Sequence, residues 1–82
     1  MLNIKFQNYD ETRIRFSIPE DTHVRLKLIN QMGTEIQTLI DAEAPAGDHT
    51  VSLNANTLAP GIYYYQIKAG NFTATKKFVL IR

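Results

Sequence analysis

Cysteine is absent from this 82-residue chain, and so is tryptophan. Without thiols there is no disulfide framework and no thiolate chemistry. Many small secreted domains lean on disulfides, but passage through a bacterial periplasm does not require them. A charge of one sign is also missing. Nine Lys and Arg against eight Asp and Glu leave a net charge of +1, short of the basic excess that marks a nucleic-acid binder. The longest apolar run near the C-terminus is Phe78 to Ile81, far below the roughly 20 residues that a helix needs to span a bilayer. Met1-Leu2-Asn3-Ile4-Lys5-Phe6 has no charged stretch followed by an apolar one, so no signal peptide is expected there and no transmembrane segment elsewhere. Glycine and proline are sparse, four and three, and no repeat, low-complexity tract or linker interrupts the chain.

What remains is a small domain rich in strand formers. A hydrophobic fraction of 44% and a charged fraction of 21% suit a folded protein, and the β-branched residues with Tyr and Phe favour strands. A chain of this size buries only about 60% of its unfolded surface, so its margin of stability is thin.

Alternation of apolar and polar residues recurs at strand spacing. Leu2, Ile4 and Phe6 form one set, Ile14, Phe16 and Ile18 a second that Pro19 ends, and Val24, Leu26 and Leu28 a third. Asn30-Gln31-Met32-Gly33 reads as a hairpin turn with Gly33 left-handed. A fourth strand is expected from Glu35 to Ile40, where Ile36 and Leu39-Ile40 break the alternation and suggest a bulge or a sheet edge. Asp41 to Gly47 reads as a loop, Asp48 to Leu53 as a fifth strand with Val51 and Leu53 inward, and Asn54 to Pro60 as a polar connection. Pro60-Gly61 opens the sixth strand and Gly70-Asn71 turns it into the seventh. No stretch sustains a helical period. The expectation is all-β: an Ig-like or fibronectin-like antiparallel sandwich of about seven strands, with residues 1–12 a strand or linker remnant and 13–82 the domain proper.

Residues that could carry chemistry are few. His23 and His49 lie far apart with no ligand-spaced partner, so no metal site is expected and both read as surface residues. The adjacent carboxylates Asp10-Glu11 and Glu20-Asp21 fall in expected turns and point into solvent, unlike an acid/base pair that converges across a pocket. The glycines are isolated, so there is no phosphate-binding loop. Asn71-Phe72-Thr73 matches a glycosylation acceptor pattern, which a turn position already explains. Tyr63 and Tyr65 share a face with Ile67 and read as core, Tyr63 bonding a loop backbone through its hydroxyl, while Tyr64 lies outside. Arg25, Lys27, Lys68 and either Lys76 or Lys77 should share the outer face of one sheet, as a solvated face that resists aggregation or as a recognition surface. No enzyme activity and no cofactor is expected.

The C-terminal segment Pro60-Gly61-Ile62-Tyr63 through Gly70 to Lys77-Phe78-Val79-Leu80 and Arg82 resembles the type A C-terminal sorting domain of the type IX secretion system of Bacteroidota, the Por system. There a Gly-x-Tyr strand precedes a Gly-containing turn and a last strand of Lys and apolar residues ending in a cation. The likeness extends over Arg13-Ile14-Arg15-Phe16-Ser17-Ile18-Pro19, Val24 to Leu28, Gly33 to Ile36 and Ala46-Gly47-Asp48-His49. In place of the family's Asn-Pro-rich approach stands Gln7-Asn8-Tyr9-Asp10-Glu11. The resemblance implies a non-enzymatic secretion signal at the end of a longer precursor. An N-terminal cargo domain with its own signal peptide would pass through the periplasm and the outer-membrane type IX translocon to the cell surface or beyond. A sortase-like surface peptidase would then remove the signal domain. It also implies a sorting motif of Gly61, Tyr63, Lys77, Phe78, Val79, Leu80 and Arg82 on turns set by Pro19, Gly33, Gly47, Pro60 and Gly70. Two other readings stay open: a structural Ig-like spacer, as in flagellar hook-capping proteins or secreted hydrolases, and a carbohydrate-binding module, for which only Tyr64 is a candidate.

Overall fold

A computed structural model describes residues 5–10, 13–54, 56 and 58–81; the sequence-predicted first strand's Leu2 and Ile4 lie outside them. Among the described residues all regular elements longer than a turn are strands: β1 Lys5–Asp10, β2 Arg13–Ile18, β3 Thr22–Asn30, β4 Glu35–Ala44, β5 Gly47–Ser52, β6 Gly61–Ala69 and β7 Phe72–Leu80. Six of them, β2 to β7, have described side chains; β1 is described by its backbone alone. No helix among the described residues is long and apolar enough to cross a membrane.

The strands form two antiparallel sheets, β1-β2-β5 and β4-β3-β6-β7. Three connections stay within a sheet and three cross between them. Hairpins join β1 to β2, β3 to β4 and β6 to β7, while the segments after β2, β4 and β5 carry the chain to the other sheet. Asp21 Oδ1 accepts the Ala46 N–H at 2.8 Å, tying two crossing segments together at one end of the sandwich.

The period of two that writes the strands also writes the core. Ile14, Phe16 and Ile18 from β2 face Val24, Leu26 and Leu28 from β3, Tyr63, Tyr65, Ile67 and Ala69 from β6, and Phe78 and Leu80 from β7. Arg13 and Arg15, alternating with the first set, and Lys68 between Ile67 and Ala69, stay exposed. Tyr65 and Phe78 pack ring to ring at 5.0 Å and Tyr63 and Phe78 at 6.1 Å. Cα extents of 36 × 22 × 19 Å describe the resulting body.

Four sequence expectations need correction. β4 does not stop at Ile40: it runs to Ala44, which pairs with Thr22. Asp41 to Ala44 reads as loop because it lacks apolar alternation, yet an edge strand with one face on solvent does not need it. The expected irregularity is real and twofold, with register shifts between Leu26 and Lys27 and between Leu28 and Ile29. Leu58, within the segment expected to be a polar connection, is buried in the core. Val51 is half-buried rather than fully internal. His49 is no free surface residue. It sits opposite Phe16 in the β2–β5 ladder, stacks on that ring at 5.1 Å and 18°, and donates from Nε2 to the Pro45 carbonyl at 2.7 Å.

Candidate functional site

The closing hairpin brings the implied sorting motif together, with Gly70 as the first residue of a two-residue turn. Its φ of 59°, with no positive φ at Asn71, fits the turn type whose twist matches the flanking strands. In the β6–β7 ladder Gly61 faces Leu80, Ile62 faces Val79, Tyr63 faces Phe78 and Tyr64 faces Lys77. Since neighbouring residues point to opposite faces, this register divides the motif into two layers. Tyr63, Phe78 and Leu80 are buried. Lys77 and Val79 are exposed on the outer face, Val79 by 47%. Arg82 lies outside the described residues; Ile81 just before it is 74% exposed.

The buried layer is pinned at its entrance. The Tyr63 hydroxyl donates to the Ala59 carbonyl at 2.5 Å, a tyrosine corner that fixes how the chain turns into β6. Gly61 enters the strand at φ 150°, a backbone conformation that L side chains rarely adopt. The other structural positions of the motif fall at turns. Pro19 follows β2, Pro60 precedes β6, Gly47 opens β5, and Gly33 closes the β3–β4 turn with φ 84°. There Asn30 accepts the N–H of Gly33 through its carbonyl, and the N–H of Met32 and of Thr34 through its side chain.

The cationic face resolves the choice between Lys76 and Lys77. Lys77 shares the outer face with Tyr64, Gln66 and Lys68, whereas Lys76 lies opposite Tyr65 on the inner side of the edge strand, exposed past the rim of the core. Across that outer face, acids on β4 meet bases on β3. Arg25 Nη2 lies 3.6 Å from Asp41 and Lys27 Nζ 3.7 Å from Glu35. His23 contacts Asp41 through Nε2 at 2.6 Å and Glu43 through Nδ1 at 2.9 Å. These two hydrogen bonds, that to Asp41 first, hold the imidazole above its ordinary value of 6.5. The same contact, then Arg25, holds Asp41 below its ordinary 3.8. The two carboxylates sit on opposite ring nitrogens and do not converge on a shared point. Among the described residues no group of three His, Cys, Asp or Glu side chains could hold a metal ion.

Sequence reasoning missed this ladder of pairs, although its signal is in the chain. Bases at alternate positions, His23, Arg25 and Lys27, run along one strand, and Asp41 and Glu43 alternate on the next. The pair Asp10-Glu11 falls outside the described side chains, and of Glu20-Asp21 the latter serves the Ala46 backbone. Tyr64 is half-buried between Ile29 and Lys77.

Comparison with known proteins bears on this arrangement directly. No curated protein and no solved structure matches the chain. The profile of the secretion system C-terminal sorting domain, the Por secretion tail, matches residues 1–81. With nearly the whole length covered, and with the Gly-x-Tyr and Lys-Phe-Val-Leu strands paired as a hairpin, the chain belongs to the type IX secretion C-terminal sorting domain family.

Proposed function

We propose that this domain is the address of an exported cargo, read as a folded body at the outer-membrane type IX translocon and later cut from the cargo by a sortase-like surface peptidase. The domain is substrate in that cleavage and performs no chemistry of its own. The observation that carries this reading is the family match over residues 1–81; it gives no support to a spacer. Within the domain, residues 13–82 carry the address, and residues 1–12 supply β1 and the approach from the cargo.

The division of the hairpin into two layers assigns different tasks to the motif. Gly61, Tyr63, Phe78 and Leu80 shape the hairpin from inside. Lys77, Val79 and Arg82 form the contact surface. A folded strand end presents these side chains in one geometry, where a disordered tail would bear an ordering cost on binding.

The test fuses the whole chain behind a signal peptide and a reporter in a bacterium with a working type IX system. Lys77→Gln with Arg82→Gln changes surface charge and should alter stability by no more than about 0.5 kcal/mol each. Loss of export at an unchanged melting temperature is the expected result. Export at the wild-type level would remove both cations from the contact surface, and failure of the unmodified fusion to leave the cell would reject the address itself.

A further inference from the structure

On the outer face of the four-stranded sheet, away from the strand end that carries the motif, β3, β6 and β7 enclose a shallow groove of about 230 Å³. Its lining is Arg25, Lys27, Gln66, Lys68 and Thr73. Every one of these side chains offers hydrogen-bond donors, and none is a carboxylate.

The placement of the charges runs against what a sheet needs for stability. Arg25 stands directly opposite Lys68 in the β3–β6 ladder, and like charges directly opposite are destabilising. Arg25 and Lys27 find carboxylates on β4, at 3.6 and 3.7 Å, on the side of β3 away from the groove. Neither contact uses all the donors of its cation, since a guanidinium has five and an ammonium three. On the other side of the groove Lys68 has Thr73 for its ladder partner, not an acid. Natural proteins break such local rules mainly at functional or strained sites.

We infer that this groove binds a tetrahedral oxyanion, a phosphate or sulfate group, with Lys68 and Arg25 gripping it from two strands and Lys27, Gln66 and Thr73 completing the donor set. A bound dianion removes the repulsion between Arg25 and Lys68 and turns it into two charge-assisted contacts. The group arrives either as a free ion or on a larger carrier such as a lipid headgroup; the chemistry of the grip is the same. The inference does not depend on export and is tested on the isolated domain.

Inorganic phosphate is titrated into the ¹⁵N-labelled protein at fixed ionic strength, with sodium chloride as the balancing salt. Saturable amide shifts centred on Arg25, Lys68 and Thr73 are expected. Lys68→Gln should weaken binding about tenfold, the worth of one charge-assisted hydrogen bond, and Lys68→Arg should retain it. In a second arm, phosphatidylcholine vesicles containing phosphatidic acid are sedimented with the protein. Lys68-dependent binding in the first arm identifies a free ion as sufficient, and Lys68-dependent binding in the second alone identifies a headgroup. Shifts that chloride reproduces, or binding in both arms that Lys68→Gln leaves intact, would overturn the inference, as would no binding in either.

Discussion

The hydroxyl of Tyr63 ties β6 to the loop before it, and its bond to the Ala59 carbonyl is one contact whose loss can be isolated. Tyr63→Phe keeps the ring against Phe78 and deletes only that bond. It should lower stability by about 0.5–1.5 kcal/mol, seen as a lower urea midpoint at an unchanged slope. His23 offers a second single-residue test. Its raised pKa means that its contribution to stability is complete below 6.5 and fades as pH rises through the raised value. Asp41, held low, contributes fully above 3.8, and that contribution is lost as pH falls through the lowered value. The clamp is therefore complete between those two ordinary values and weakens on either side. Ring resonances of His23 should titrate above 6.5, and Asp41→Asn should bring the midpoint down. A midpoint that ignores Asp41→Asn would mean that the pair does not hold in solution.

Among the elements, the β3–β4 hairpin depends most on backbone conformation. A Cβ added at Gly33 would meet nothing within 4 Å, so Gly33→Ala strains the positive φ without a clash. It should cost about 1–2 kcal/mol, and Gly33→Asn, which tolerates this region better, should cost less; equal thermal melts for all three proteins would contradict the turn. This turn was legible in the sequence, as were β2, β3, β6 and β7, because each buries apolar residues at every second position on one face. The C-terminal half of β4 was not. It lies at an edge beyond the two register shifts, and what holds it is an unbroken ladder to β3 with charge pairs across it, which no local pattern announces. His49 escaped notice for the same reason, since Phe16, the ring it stacks on, lies on another strand. That Tyr63 lies in the core was legible from the alternation of β6, but that Phe78 and Leu80 join it while Lys77 and Val79 face outward came from the register of β6 against β7. Lys76, on the inner side of the edge strand β7, is a charge turned toward the core side, a device that discourages a further strand from adding there.

At the scale of the molecule, both sheets close on one cluster, to which β2 contributes Phe16 and β7 contributes Phe78. Among the described residues neither sheet has a second core to fall back on. Phe16→Ala should therefore cost about 3–5 kcal/mol, a large share of the 5–15 kcal/mol typical of a whole domain. Loss should be cooperative, with far-UV circular dichroism and tyrosine fluorescence moving together in urea; separated transitions would show that the sheets unfold independently. A body held together in this way has a calibre. Its narrow section measures 22 × 19 Å between Cα atoms, before side chains are added. Any aperture that lets it through intact is wide enough for water, ions and metabolites to follow, unless the traveller fills the hole it passes through. If the domain crosses the outer membrane folded, as the proposed address would, the opening must be sealed by the passenger itself for as long as it is occupied.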